Sequence, residues 1–393
     1  VSEKVAASAI FDRGLFAAGA VMFVDAIGYG IVLPLLPFFA LHLRASEGTV
    51  TVLVAVFAFA GLLSAPVIGK LSDHFGRKTV IEYTFLGTLA SYIGLLFSTS
   101  LASLFLLRAL GGAMTGRDAV VQALVTDAVP AEDHVKRIGF LSACRAMGLI
   151  IGPLIGSAFQ LVFDHPKQLY GATFVAAIAL TVVTLSLVHL FLADPPRRAD
   201  VEPVGPTPGA FAVARPFVIP LAVGLCSNIG FGVLLSCTAI FVHSAFDWSA
   251  AETGGLLALS AVSIGAARFF IASAVARRIG PHQTLFVGLV GSGFGMLAMA
   301  TGETSLFLIG FVTFSLGFGL AIVVSTGLIS MFSSRSNRGL LLGVNHGAAT
   351  VALIFSAIIG GLLFELVNRS APFLAAAFVL LTTAVSLKIA TTK

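Results

Sequence analysis

Gly69-Lys70-Leu71-Ser72-Asp73-His74-Phe75-Gly76-Arg77-Lys78 lies between two apolar runs, Val50 to Ile68 and Thr79 to Phe97. Each run is about long enough to cross a bilayer as a helix, so the stretch between them predicts a tight turn at a membrane surface. Gly69 is placed to let two helices approach closely, and Gly76 to take a backbone angle closed to other residues. Asp73, Arg77 and Lys78 put opposite charges within a few positions, a pattern able to latch and unlatch. Lys and Arg beside a span are also ordinary topology anchors, but the ordered Gly, Asp, Gly, Arg spacing is more specific than a basic cluster.

The rest of the chain agrees with a membrane setting. Of 393 residues, 58% are hydrophobic and only 10% charged, and the mean hydropathy is +1.03, whereas soluble domains carry about a quarter charged residues. The predicted class is an all-α polytopic membrane protein. The first apolar run, Gly14 to Leu41, is longer than a signal-peptide core and carries polar residues of its own, so a cleaved signal is not expected. Twelve spans are predicted in order: Gly14 to Leu41, Val50 to Leu71, Thr79 to Phe97, Leu101 to Val125, Ile138 to Phe163, Leu169 to Leu192, Phe217 to Phe246, Thr253 to Val275, Thr284 to Thr301, Ser305 to Met331, Gly339 to Leu366 and Pro372 to Ala390.

Counted along these spans, sixteen of the 23 Lys and Arg fall on the side of the N-terminus and three, Arg44, Lys167 and Arg369, on the other. This asymmetry predicts cytoplasmic N- and C-termini in a plasma (inner) membrane. It also accounts for the net charge of +5, from which no nucleic-acid partner is inferred. Four arginines remain inside spans: Arg108, Arg117, Arg145 and Arg268. Cys144, Cys226 and Cys237 show no metal-type spacing, no metal site or cofactor is called for, and Trp248 reads as an interface anchor.

Residues 194–216, DPPRRADVEPVGPTPGAFAVARP, form the only extended polar, Pro-rich segment. They divide the chain into a bundle of residues 1–193, a cytoplasmic linker 194–216 and a bundle of residues 217–393. The bundles repeat: Ile27-Gly28-Tyr29-Gly30-Ile31-Val32-Leu33 answers to Ile229-Gly230-Phe231-Gly232-Val233-Leu234-Leu235, and Ala276-Arg277-Arg278-Ile279-Gly280 stands as a worn copy of the opening loop without its Asp. Duplication of a six-helix unit predicts two rigid bundles rocking about a central site.

The pattern G-x-L-S-D-x-x-G-R-K closely resembles the loop between the second and third helices of the major facilitator superfamily, which implies that Asp73 engages a neighbouring helix in one conformation of a transport cycle. Three further strings extend the resemblance over essentially the whole chain. Asp25-Ala-Ile-Gly28-Tyr29-Gly30-Ile-Val-Leu-Pro34-Leu-Leu-Pro37 resembles the first helix of drug/proton antiporters, the tetracycline/proton branch in particular. Leu107-Arg108-Ala-Leu-Gly111-Gly112 resembles the fourth-helix motif, whose arginine the family implicates in proton coupling. Gly148-Leu-Ile-Ile-Gly152-Pro153-Leu-Ile-Gly156 resembles the antiporter motif of the fifth helix. Each has a plainer reading: a structural ion pair for Asp25, a hydrogen bond to the first helix for Arg108, and a small-residue packing stripe for the glycines, with Pro153 weakening the backbone ladder there.

An isolated carboxylate in an apolar helix is costly and usually functional or paired, so Asp25, Arg108, Asp118 and His346 are the candidates for proton coupling. Arg117-Asp118 departs from the family's pattern of small residues; it reads as part of a buried salt bridge or as a substrate contact. At 1.5 Å per residue, Arg145 lies about 12 Å, Arg268 about 14 Å, Arg117 about 15 Å and Asp25 about 18 Å from the same surface. With three Arg against Asp25 and Asp118 this layer is formally +1. Tyr29, Arg117, Arg145, Asn228, Arg268 and Asn345 are the candidate substrate contacts, and Gly69, Asp73, Gly76, Arg77, Lys78, Gly148, Gly152, Pro153 and Gly156 the candidate conformational switch.

These residues favour a secondary transporter, expected as a monomer in the lipid bilayer, exchanging protons for a small molecule. Export of drugs and other small organic molecules is the leading expectation. Export of an organic anion or zwitterion held by the arginines comes next, and uptake by symport third. A membrane-embedded enzyme is disfavoured: there is no H-E-x-x-H, no nucleophile elbow and no phosphate-binding Gly loop. A non-transporting receptor is the remaining class.

Overall fold

A computed structural model describes residues 2–127, 134–160, 162–163, 165–194, 215–332 and 338–392. Most of the linker, 195–214, falls outside it, as do Arg197, Arg198, Arg335 and Lys393 of the charge census. The described residues fold as α1 (Ser2–Val32), α2 (Leu36–His42), α3 (Glu47–Phe75), α4 (Arg77–Leu96), α5 (Leu101–Ala113), α6 (Arg117–Asp127), α7 (His134–Gln160), α8 (Pro166–Phe191), α9 (Arg215–Phe246), α10 (Ala250–Ala266), α11 (Ala272–Ile279), α12 (Pro281–Ala300), α13 (Thr304–Phe332), α14 (Arg338–Leu366) and α15 (Ala371–Thr392).

Eleven stretches of these residues are long and apolar enough to cross a bilayer. The twelfth, expected as one span from Leu101 to Val125, is interrupted: a 3-10 turn, Met114–Gly116, separates α5 from α6. Gly111, Gly112 and Gly116 weaken the helix here, and Thr115 Oγ1 folds back onto the Gly112 carbonyl at 2.7 Å. The first span is broken as well, at Pro34, which has no N–H to donate; Pro37 then sits in the opening turn of α2, where none is needed.

The turn expected over Gly69 to Lys78 contracts to one residue. Helix α3 runs on through Phe75, α4 starts at Arg77, and only Gly76 leaves the helical region, at φ +101° and ψ 146°. That positive φ is what glycine supplies. Gly280, between α11 and α12, repeats the geometry at φ +85°, in the place where the worn copy of the loop was expected. Gly69 makes no close approach: a side chain built there would meet nothing within 4 Å.

The chain separates into two compact units. One comprises Val1–Ala45, Val56–Ala199 and Ser249–Ala258; the other Ser46–Ala55, Asp200–Trp248 and Leu259–Lys393. In the first, α1 packs on α7 and α8, and α4 on α8 and α5. Leu15, Val21 and Met22 of α1 interlock with Ile81 and Phe85 of α4, Val120 and Val121 of α6, and Leu141 of α7. In the second, α12 packs on α13 and α15, and α9 on α14 and α13. There the fully buried Phe241 ring stacks on Phe307 at 5.3 Å and meets Phe373 edge-on at 4.9 Å. Lipid tails are as apolar as these side chains, so close packing and satisfied polar groups supply the cohesion. Many buried hydroxyls accordingly bond carbonyls of their own helices, as Thr181 to Ala177 and Ser236 to Gly232.

Candidate functional site

The expected glycine stripe of α7 is the seam on which α1 is seated. A methyl group built on Gly152 would lie 2.6 Å from the Ile27 carbonyl and 2.7 Å from Gly30 Cα, and one on Gly156 2.7 Å from the Ile31 carbonyl. Gly148 is pressed against the Phe23 carbonyl, and Gly30 against Pro153. The neighbours are mostly backbone, which cannot swing aside. This seam fixes α1 against α7 and so sets where Asp25 stands. The Pro153 carbonyl also accepts from Ser157 Oγ at 2.8 Å.

Asp25 is the centre of a charge network within the first unit. Its Oδ1 accepts from Arg117 Nη2 at 2.5 Å, and both side chains are well buried, 11% and 6% exposed. Its Oδ2 lies 3.9 Å from Arg145 Nη1, which is closer, 2.8 Å, to Asp118 Oδ2. Arg117 and Asp118 are sequence neighbours yet serve different partners, because adjacent helical residues point about 100° apart. Arg117 is held from below and behind: its Nη1 donates to Thr88 Oγ1 at 2.9 Å and to the Met114 carbonyl at 3.0 Å, and its guanidinium lies 4.3 Å over the Phe85 ring. Met114 opens the 3-10 turn, so the interruption of the fourth span lies at the site. Thr88 in turn donates to the Thr84 carbonyl at 3.0 Å.

Arg108 lies beside this network without joining an ion pair among the described residues. It is 4% exposed, its guanidinium sits 4.0 Å over Phe57, and its Nε has no hydrogen-bond partner. Tyr29 packs against the same Phe57 ring, centroids 5.5 Å apart. Gly112 fits against the Phe57 backbone and Gly111 against Ser91, whose Oγ a methyl built there would meet at 3.0 Å. The Gly-rich face beside Arg108 therefore does bring helices together. Tyr92 is buried one turn beyond Thr88. No sequence pattern marked Thr88, Phe85 or Tyr92; their spacing of three and four along α4 is the signal that an α-helical reading could have used.

At the helix ends, Asp73 pairs with Arg77 at 2.7 Å. Arg77 also reaches Asp127 at the end of α6 at 3.1 Å and Ser72 Oγ at 2.7 Å. The Lys78 N–H donates to Asp194 at 2.8 Å and its Nζ to the His189 carbonyl at 2.7 Å. The loop is thus tied to the ends of α6 and α8 through Asp127 and Asp194, neither of which the motif predicted.

Asn228 Nδ2 donates to the Gly224 carbonyl at 2.8 Å, and Asn345 Oδ1 flanks the same Gly224. His346 is exposed. Arg268 is exposed too, and lies in a π-helical turn, Ala267–Ile271, that interrupts the eighth span.

The family model of the Major Facilitator Superfamily matches this chain twice, over residues 18–287 and 220–392. The chain belongs to the Major Facilitator Superfamily. It is therefore a multi-pass membrane transporter and not an enzyme. Within that superfamily it is similar to the tetracycline resistance protein, class B, of Escherichia coli, 27% identical over 362 residues that cover 89% of this chain and 87% of the relative. It is similar also to multidrug resistance protein 1 of Bacillus subtilis (strain 168), 28% identical over 353 residues, 88% of each chain. Among solved structures the POT family transporter PepTSo superposes with a TM-score of 0.79 at 11% identity, covering 97% of this chain and 98% of that one. The nucleoside transporter NupG gives 0.76 at 13%, with 96% and 98% covered. At such identities the structures speak for the major facilitator fold alone.

Proposed function

We propose that this chain is a proton-coupled antiporter that exports small organic molecules by alternating access, working as a monomer in a bacterial inner membrane with both termini cytoplasmic. In this reading residues 1–193 and 217–393 rock as two bundles joined by the linker 194–216. The observation that carries it is the buried Asp25 carboxylate held between Arg117 and Arg145. Protonating Asp25 removes the charge that orders Arg117 and leaves Arg145 wholly to Asp118, its nearer partner at 2.8 Å. One proton thereby exchanges one arrangement of ion pairs for another, which is the kind of bistable element a coupled carrier needs. The names of the relatives, tetracycline and multidrug resistance proteins, favour drugs as the exported class.

Arg108, Arg117 and Arg145 outnumber Asp25 and Asp118, and this excess favours the second reading, an anionic or zwitterionic substrate. Proteoliposomes with an imposed pH gradient, screened against cationic drugs and organic anions in parallel, test both. Asp25→Asn should abolish uphill, gradient-driven transport and leave downhill exchange. Undiminished accumulation against a gradient in this variant would move the proton to Asp118, His346 or another group.

A further inference from the structure

Each unit carries an arginine set against an aromatic pair, and the two sets are related by the internal repeat. Tyr29 and Phe231 occupy equivalent places in the repeated strings, 202 positions apart. Tyr29 packs on Phe57, which underlies Arg108. Phe231 stacks flat on Phe318, ring centroids 4.6 Å apart and planes within 8°, and Arg268 lies 5.9 Å from the Phe318 centroid. The arginine and its ring have traded helices: the ring comes from the second span and the arginine from the fourth in one unit, the ring from the tenth and the arginine from the eighth in the other.

The sets differ in what is left open. Arg108 is sealed in at 4% exposure, whereas Arg268 is exposed, Phe318 is buried and Phe231 half-buried. Among the described residues Arg268 has no ion pair, only its ring. Nine residues separate it from Arg277, about 14 Å along a helix, too far for its side chain to snorkel to that surface. An ionised group at such depth faces a protein interior or a water-filled pathway and marks a ligand or ion route. Its mounting is built in. The π turn adds a residue at Ala267–Ile271, a feature frequent at functional sites. Gly319 presses α13 against that turn: a methyl built there would stand 2.7 Å from Ala267 Cβ.

We propose that Arg268, Phe231 and Phe318 form a ligand subsite for a flat aromatic compound bearing one anionic group, the ring lying along the phenylalanine stack and the anion on the guanidinium. The subsite rests on the transporter reading for its role but not on proton coupling. Binding of 2-naphthoate, neutral 2-naphthamide and non-aromatic cyclohexanecarboxylate to the whole protein in zwitterionic-lipid nanodiscs tests it. The wild-type protein should prefer naphthoate over naphthamide at least ten-fold. Arg268→Gln should bring that ratio near one, with Arg268→Lys retaining part of it. Phe231→Leu should weaken both naphthyl compounds several-fold and leave cyclohexanecarboxylate unchanged. No preference in the wild-type protein, or an unaltered ratio in Arg268→Gln, overturns the proposal. So does displacement of naphthoate by phosphatidylglycerol added to the disc, which would assign the arginine to a lipid headgroup. Normal binding without proton-driven transport would instead reject the coupling reading and leave the subsite standing.

Discussion

Arg117→Gln isolates the contribution of the Asp25 ion pair. In the native network Arg117 gives Asp25 its short contact, and Arg145, at 3.9 Å and already on Asp118, is the only other cation near it among the described residues. The substitution leaves Asp25 with that distant guanidinium, and deprives Thr88 Oγ1 of a donor and Phe85 of a cation over its ring. Both ion-pair side chains are nearly buried, so solvent screening relieves little. Removing one partner of a buried pair costs about 3–5 kcal/mol. Asp25→Asn with Arg117→Gln replaces the ions by two neutral amides able to bond each other, and the double variant should cost clearly less than the sum of the singles. Equilibrium unfolding of the four proteins in one mixed-micelle system gives the cycle, and a coupling energy above about 1 kcal/mol is expected, within the range for residues in direct contact. Additivity within about 0.5 kcal/mol would mean that Asp25 and Arg117 do not depend on each other, and the exchange of ion pairs proposed for coupling would lose its basis.

Three further outcomes follow from the packing. Gly152→Leu forces a side chain into the Ile27 carbonyl and Gly30 Cα, so exchange rate and thermal stability should both fall, by at least the 1–3 kcal/mol typical of overpacking, while Gly69→Ala, in open space, should leave both unchanged; equal effects of the two in a melting and exchange assay would refute the seam. Gly76→Ala must adopt φ +101° with its methyl 2.7 Å from Asp194 Oδ2, and a loss of about 1–3 kcal/mol is expected; if Asp194→Ala in the same background restores none of the lost stability, the clash is not the cause. Asp73→Asn loses the pairing to Arg77 but keeps Asp127 as that arginine's partner, so turnover should slow with ligand affinity within a few-fold, and an equal loss of binding would argue against a switching role.

What could be read without coordinates was whatever depends on one helix at a time. Span lengths, the repeat, the stripe formed by Gly148, Gly152 and Gly156, and the need for glycine at position 76 all follow from periodicity and backbone allowance. What could not be read was rotation and partner choice between helices. Depth along an axis placed Arg117, Arg145 and Asp25 in one layer, yet depth says nothing about azimuth, and it is azimuth that gives Asp25 to Arg117 and Asp118 to Arg145. Adjacent residues on a helix do not face each other, so the Arg117-Asp118 dipeptide had to look to two different helices for its partners. The interruptions escaped for a related reason. A hydropathy run reports composition, and the 3-10 turn at Met114–Gly116 and the π turn at Ala267–Ile271 change the hydrogen-bond register without changing it. Both of these turns stand at an arginine: Arg117 follows the first and bonds the Met114 carbonyl, and Arg268 lies within the second beside Phe318. In a membrane, non-helical backbone persists only where protein or water satisfies it. A break in a span together with a charge is therefore a stronger mark of function than either alone.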